Sequence, residues 1–296
     1  MNSCLKYFSA SLLALLTQAA FAQVPDLGAA SDFTLLSAPT GVEAGAVTCT
    51  DSTIIGNVGS TDPADSVAVT CIISEGSFIA PVSAGVVNDF YAAYDAVAAI
   101  ACDETLTGTL DGRNLTPGVY CFDAAATLTG TLTLVGPSTG NWIFKVGTGA
   151  AGGALTATDF NVAMAGDACN VTWWSEAAAT ITRGEFKGTI LTGAAFTATG
   201  TATTGSTFDG QALAGRTSVT AGVTVTDMTV TGCEAGSRGG KSQSKCNQGV
   251  GNGPEDCDPG NSNQDDFGSN PFTGSSRSND ELGGTPGDPG RKGGNN

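Results

Sequence analysis

Threonines, cysteines and a few carboxylates carry most of the chemical potential of this 296-residue chain, which contains no histidine. Without imidazole there is no Ser-His-Asp triad, no Cys-His dyad and no His-ligated zinc or haem. Glu185 and Asp209 could be read as the paired carboxylates of a glycosidase or lyase. No Lys/Arg cluster accompanies them to hold a uronate, and Trp142, Trp173 and Trp174 are the only tryptophans available as a sugar platform. Both acids therefore read as solvated surface charge. Trp142 and Trp173 stand beside apolar residues and are expected in the core, while Trp174 is expected to cap a coil edge. Asp256, Asp258, Asp265 and Asp266 match neither EF-hand nor nonapeptide calcium spacing. The chain is read as a binding protein rather than an enzyme, with no catalytic residue, cofactor or metal.

The pattern that does stand out is apolar-Thr-apolar-Thr. It places Thr48 and Thr50 around Cys49, Thr127 and Thr129 around Leu128, and Thr156 and Thr158 around Ala157. It recurs as Thr180 and Thr182 around Ile181, Thr197 and Thr199 around Ala198, and Thr224 and Thr226 around Val225. Thr70, before Cys71, ends a partial copy, and Thr220, before Ala221, a degraded one. Successive side chains of a strand point to opposite faces. Val47, Cys49, Ala179, Ile181, Phe196, Ala198, Val223 and Val225 are thus expected to point inward and stack, with the threonines outward in ranks.

A second phrase, Glu185-Phe-Lys-Gly-Thr-Ile-Leu191 and Thr207-Phe-Asp-Gly-Gln-Ala-Leu213, recurs beside the first at an irregular period near 20 residues. That period is the mark of a solenoid with one coil per repeat. Stacked Thr-x-Thr strands form a flat grid of hydroxyls and methyls, about 4.8 Å between coils and roughly 6.7 Å along a strand. Water oxygens on some ice planes repeat at similar distances. Thr also forms strands well and faces solvent for no special reason, so a plain solvated sheet is the alternative.

The elements needed to hold such a grid are legible. One helix is expected from Ala84 to Cys102, N-capped by Ser83, with Val86, Phe90, Tyr94 and Val97 on its inner face. The rest reads as short strands, an all-β solenoid with one helix. Residues 1–22 have Lys6, a short apolar run and Ala20-Phe-Ala22, the signature of a cleaved secretory signal. Residues 234–296 are rich in Gly, Asn, Ser, Asp and Pro and read as a disordered tail. The folded part is expected over residues 23–233.

The net charge of -16 argues against a nucleic-acid partner. No segment is long and apolar enough to span a membrane. Eight cysteines beyond the signal fit an oxidising compartment, and proximity pairs Cys49–Cys71, Cys102–Cys121, Cys169–Cys233 and Cys246–Cys257. The protein is expected to be extracellular and monomeric.

Longer stretches resemble the ice-binding-like family, also called the DUF3494 family. They are Asp26-Leu-Gly-Ala-Ala-Ser-Asp-Phe-Thr-Leu-Leu36, Gly108-Thr-Leu-Asp-Gly-Arg-Asn-Leu-Thr-Pro-Gly-Val-Tyr120, Asn141-Trp-Ile-Phe-Lys-Val-Gly147, Cys169-Asn-Val-Thr-Trp173, Phe186-Lys-Gly-Thr-Ile-Leu191 and Gly210-Gln-Ala-Leu-Ala214. The resemblance implies a discontinuous right-handed β-helix of triangular section with a long α-helix packed alongside. It further implies a secreted protein that adsorbs to ice through one flat face. The phrase bearing Lys187, Thr189, Asp209 and Gln211 is charged, which leaves the threonine face as the expected ice surface. The other reading for such a fold is a surface adhesion or matrix module bound to cell-surface material or polysaccharide, tethered by the tail.

Overall fold

The computed structural model describes residues 23–41, 45–62, 71–201 and 205–233. Residues 1–22, where a signal is expected, residues 234–296, where the tail and the Cys246–Cys257 pair are expected, and Thr70 lie outside the described residues.

Among the described residues the chain winds through three sheets in turn, and every strand pairing is parallel. The first coil runs through β1 (Phe33–Ser37), β2 (Ala46–Thr50) and β3 (Thr53–Ile55), followed by β4 (Asn57–Ser60), β5 (Ile72–Ser74) and β6 (Phe78–Ile79). Helix α1 (Ala84–Ala99) interrupts the winding. Coiling resumes with β7 (Glu104–Thr105), β8 (Asn114–Leu115), β9 (Gly118–Phe122), β10 (Ala126–Leu134), β11 (Trp142–Val146) and β12 (Leu155–Met164). It ends with β13 (Val171–Ser175), β14 (Ala179–Thr182), β15 (Glu185–Lys187), β16 (Thr189–Thr192), β17 (Phe196–Thr199), β18 (Thr207–Asp209), β19 (Ala212–Ala214), β20 (Gly222–Thr226) and β21 (Thr229–Thr231).

Three sheets result: β6-β4-β1-β19-β16-β13-β11-β9-β7, β2-β20-β17-β14-β12-β10-β8, and β15-β18-β21-β3-β5. In each, the first coil pairs with the last one, β1 with β19, β2 with β20 and β3 with β21. The solenoid is therefore discontinuous: the chain starts within the stack, winds out to one end at β6, crosses beside the stack as a helix to β7 at the other end, and climbs back to meet its own beginning.

Burial follows the alternation. Val47, Cys49, Ala179, Ile181, Phe196, Ala198, Val223 and Val225 all point inward and are buried. Aromatic rings stack along the interior, with Phe144 and Trp173 at 4.1 Å and 14° and Trp173 against Phe186 at 5.2 Å. Fully burying such a ring is worth about 1.5–3 kcal/mol, so these stacks hold the coils in place.

The helix lies on the outer face of the first sheet. Its apolar stripe, Val86, Phe90, Ala93, Tyr94 and Val97, packs with Leu36, Leu191, Leu213 and Ile143 in a second core. Ser83 Oγ accepts from the Val86 amide as N-cap. The helix stops at Ala99, short of the expected Cys102, because Ile100 is extended at φ -68°, ψ 133°. Lys145, buried beneath it, donates from Nζ to Ala98 O at 2.8 Å and Ile100 O at 2.6 Å, placing a cation at the negative helix end. Trp174 does not cap a coil edge. It points outward from the first sheet and is buried under α1, 5.1 Å from Tyr94. Outward positions of this sheet are the inner side of a second layer, which the local sequence does not reveal. Cys49–Cys71, Cys102–Cys121 and Cys169–Cys233 are disulfide-bonded.

Candidate functional site

The outer face of the second sheet carries two ranks of threonine. Thr48, Thr224, Thr197, Thr180, Thr156 and Thr127 lie side by side on six consecutive strands. Thr50, Thr226, Thr199, Thr182 and Thr158 form the second rank on five of them. All of these side chains are exposed or half-buried, while their inward neighbours are buried. Thr129 belongs to the same strand as Thr127 but falls where the register shifts between Leu128 and Gly130. Thr220 is not in the sheet: it is exposed in the turn before β20, and Val219 is 66% exposed. In the degraded copy Val219-Thr-Ala-Gly222 only Ala221 is buried while Val219 faces solvent, and β20 begins at Gly222.

A third rank runs two residues ahead of the first. Ala46 sits beside Gly222, and the registers continue it through Ala195, Ala178, Ala154 and Ala125. Residue-by-residue reading of the threonines missed it, although a small residue two positions before each Thr-x-Thr was visible in the sequence.

The far edge of the ranks is a sharp corner. Asp51, Asp227, Arg183, Asp159 and Gly130 follow the last threonine of their strands and adopt φ of 46°, 52°, 58°, 49° and 74°. Asp tolerates this left-handed region better than bulkier residues. Across that corner Arg183 grips Asp159 through two bonds of 2.6 Å, which holds the Asp159 carboxyl below its ordinary range.

The third sheet is different in kind. Its outer face sets Glu185 beside Thr207 and Lys187 beside Asp209, the latter pair joined at 2.8 Å. Asp209 thus faces an ammonium, and Glu185 stands beside Thr207 rather than beside a second carboxylate. Thr189 and Gln211 do not share this face. Both are buried at the first sheet, where Gln211 Nε2 donates to Ser31 O and Phe33 O at 2.6 and 2.8 Å. A glycine after Lys187 and after Asp209 turns the chain there, at φ 122° and 153°, so residues beyond it belong to the next side.

Electrostatics separate the surfaces further. Among the described residues, Arg113, Arg183, Lys187 and Arg216 form ion pairs with Glu104, Asp159, Asp209 and Asp95. Lys145 is committed to the helix end. No threonine rank carries a charge. A hollow of about 460 Å³ at the β10 end is lined by Thr105, Thr107, Thr109, Asp123 and Thr127, without a cation to hold an acidic sugar.

A three-sided parallel solenoid, braced by one helix and presenting an uncharged sheet of ranked threonines, defines a class of proteins built to display a regular surface. Residues 33–231 match the ice-binding-like family, and the chain belongs to it. An ice-binding protein of Nostoc sp. (strain HG1) is 35% identical over 214 residues, 69% of this chain and 74% of that protein. The crystal structure of an ice-binding protein from the Antarctic ascomycete Antarctomyces psychrotrophicus superposes with a TM-score of 0.61 at 27% identity, over 72% of this chain and 100% of the other. The DUF3494 domain of a Shewanella frigidimarina ice-binding protein gives 0.59 at 25% identity, over 72% and 99%.

Proposed function

We propose that this protein is a secreted ice-binding protein that adsorbs to ice through the threonine ranks of its second sheet. The observation that carries the reading is register: Thr48, Thr224, Thr197, Thr180, Thr156 and Thr127 are paired strand by strand. Regular strand geometry repeats a methyl and a hydroxyl about every 4.8 Å across the sheet and roughly 6.7 Å along it. The hydroxyls bond water at lattice-compatible positions, and the methyls with the alanine rank exclude competing arrangements. Three disulfides and a stacked aromatic core hold these positions before ice arrives, so little order is lost on adsorption. Ice then grows only as curved fronts between adsorbed molecules, which lowers the local freezing point. The protein works by adsorption, as a monomer, with ice as its partner.

The test is ice shaping and thermal hysteresis of the purified protein beside its Thr180→Tyr, Thr197→Tyr variant, with circular dichroism on both. Faceted crystals from the parent and round discs from the folded variant are expected. Faceting by both moves the site to another face, and round discs from both sink the reading in favour of adhesion.

A further inference from the structure

Helix α1 does more than cover a sheet, and the argument rests on the reading of the threonine ranks as the ice surface. One turn of α1 carries Tyr91, Tyr94 and Asp95, spaced so that they share a face. All three reach the corner where the chain leaves the first sheet for the second. Tyr94 Oη donates to Ser175 O at 3.1 Å and shares that proton with Glu176 O at 3.3 Å. Tyr91 Oη donates to Ala38 O at 3.0 Å. Asp95 takes the Arg216 guanidinium through both oxygens, at 3.1 and 2.7 Å, and Arg216 also lies 4.7 Å above the Tyr91 ring.

These corner residues belong to neighbouring coils. Ala38, Arg216 and Glu176 follow β1, β19 and β13, and Gly193 follows the intervening β16. A Cβ on Gly193 would collide with Glu176 O and come within 2.9 Å of Tyr94 Oη. The corner is thus packed down to backbone against the tyrosine. From there the path to the ranks is short: Glu176 precedes Thr180, and Gly193 precedes Thr197, by four residues each.

We propose that Tyr94 is a positioning residue for the threonine ranks, acting through the corners at Ser175-Glu176 and Gly193. The backbone ladder sets the spacing and the residue register between coils, but a bend at each corner leaves room for a small shear along the strand direction. An ice lattice does not tolerate that slip. Tyr94 bonds the Ser175-Glu176 corner to one rigid helix and packs against the adjacent corner at Gly193, and so holds Thr180 and Thr197 in phase.

The experiment compares Tyr94→Phe with Tyr120→Phe in the full chain. Tyr120 makes the same kind of bond, Oη to Thr116 O at 2.7 Å, in the coil of β9, two strands along from β13 and away from the corners that Tyr94 touches. Amide hydrogen exchange and thermal hysteresis are read for both. In Tyr94→Phe, amides of residues 177–182 and 194–199 should exchange about three- to tenfold faster. Hysteresis should fall about twofold or more, at a melting temperature matched by the Tyr120→Phe control, which keeps parental hysteresis. Unchanged exchange at those amides, faster exchange with undiminished hysteresis, or an equal loss in the control would overturn the proposal. A parent without hysteresis would remove the ice reading, while the exchange comparison would still decide whether Tyr94 clamps the corners.

Discussion

The second and third sheets are built from successive strands of the same coils, yet only one presents an even surface. Both are rich in threonine: Thr53, Thr207, Thr229 and Thr231 face out from the third sheet. There, however, the ranks are broken by Glu185, by the Lys187–Asp209 pair and by Ile55 and Ile72. In the second sheet every paired position of two ranks is threonine. Threonine content therefore does not distinguish a surface that can match a lattice from one that is merely solvated. Uniformity along the stack does, because each coil must present the same groups at the same height as its neighbours.

The sharpest way to break this comparison is to raise a bulky ring on each face in turn. Thr180→Tyr with Thr197→Tyr should lower thermal hysteresis by at least about tenfold, since the rings hold the lattice off the remaining threonines. Thr207→Tyr with Thr229→Tyr on the third sheet should leave it within about twofold. The reverse result would exchange the roles of the two sheets.

The two faces share one interior, so a core lesion should not respect the difference. Phe186 lies beneath the third sheet and packs against Phe160, Trp173 and Phe208. Phe186→Ala should destabilise the protein by about 3–5 kcal/mol in denaturant unfolding. Activity should be lost at the temperature where folding is lost, whichever face binds.

Alkaline pH should loosen the helix that braces both. Burial, with Glu176 and Asp95 nearby, pushes the Tyr94 hydroxyl well above its ordinary 10.0. The native protein thus keeps a proton that the unfolded chain releases. That stabilisation is complete below about pH 10 and declines above it. Lys145 works in the opposite sense, since burial lowers its pKa and stability from that group rises with pH as it discharges. Unfolding curves should show a loss above pH 10 that is smaller in Tyr94→Phe than in the parent.

The smallest effect is expected from evening out the third sheet. Lys187→Thr with Asp209→Thr removes a half-exposed pair and should change stability by less than about 1 kcal/mol. Hysteresis should not rise, because Glu185 and Ile72 still interrupt the ranks. A gain would mean that partial uniformity suffices.

Much of this was legible in the chain because period-two alternation and a coil length near 20 residues are local properties. The inward set from Val47 to Val225, the helix face of Val86, Phe90, Tyr94 and Val97, and the family resemblance all follow from neighbours in sequence. Thr220 shows the limit: its degraded phrase begins like the others, but Val219 faces solvent and the strand begins only at Gly222. Trp174 and Gln211 show another, since an outward side chain is buried or exposed according to what lies above it.

The sequence by itself determined that the chain would coil into short strands with threonine on one side and small apolar groups on the other. It did so through covalent geometry, which alternates side chains regardless of context. Only the tertiary structure decided which threonines stand abreast. Strand register, the meeting of the first coil with the last, and the clamp of α1 on the corners join residues as far apart as Thr48 and Thr224. Such contacts depend on how coils stack in space: the repeated phrase offers strands that can match, and only the stacking selects their order and register.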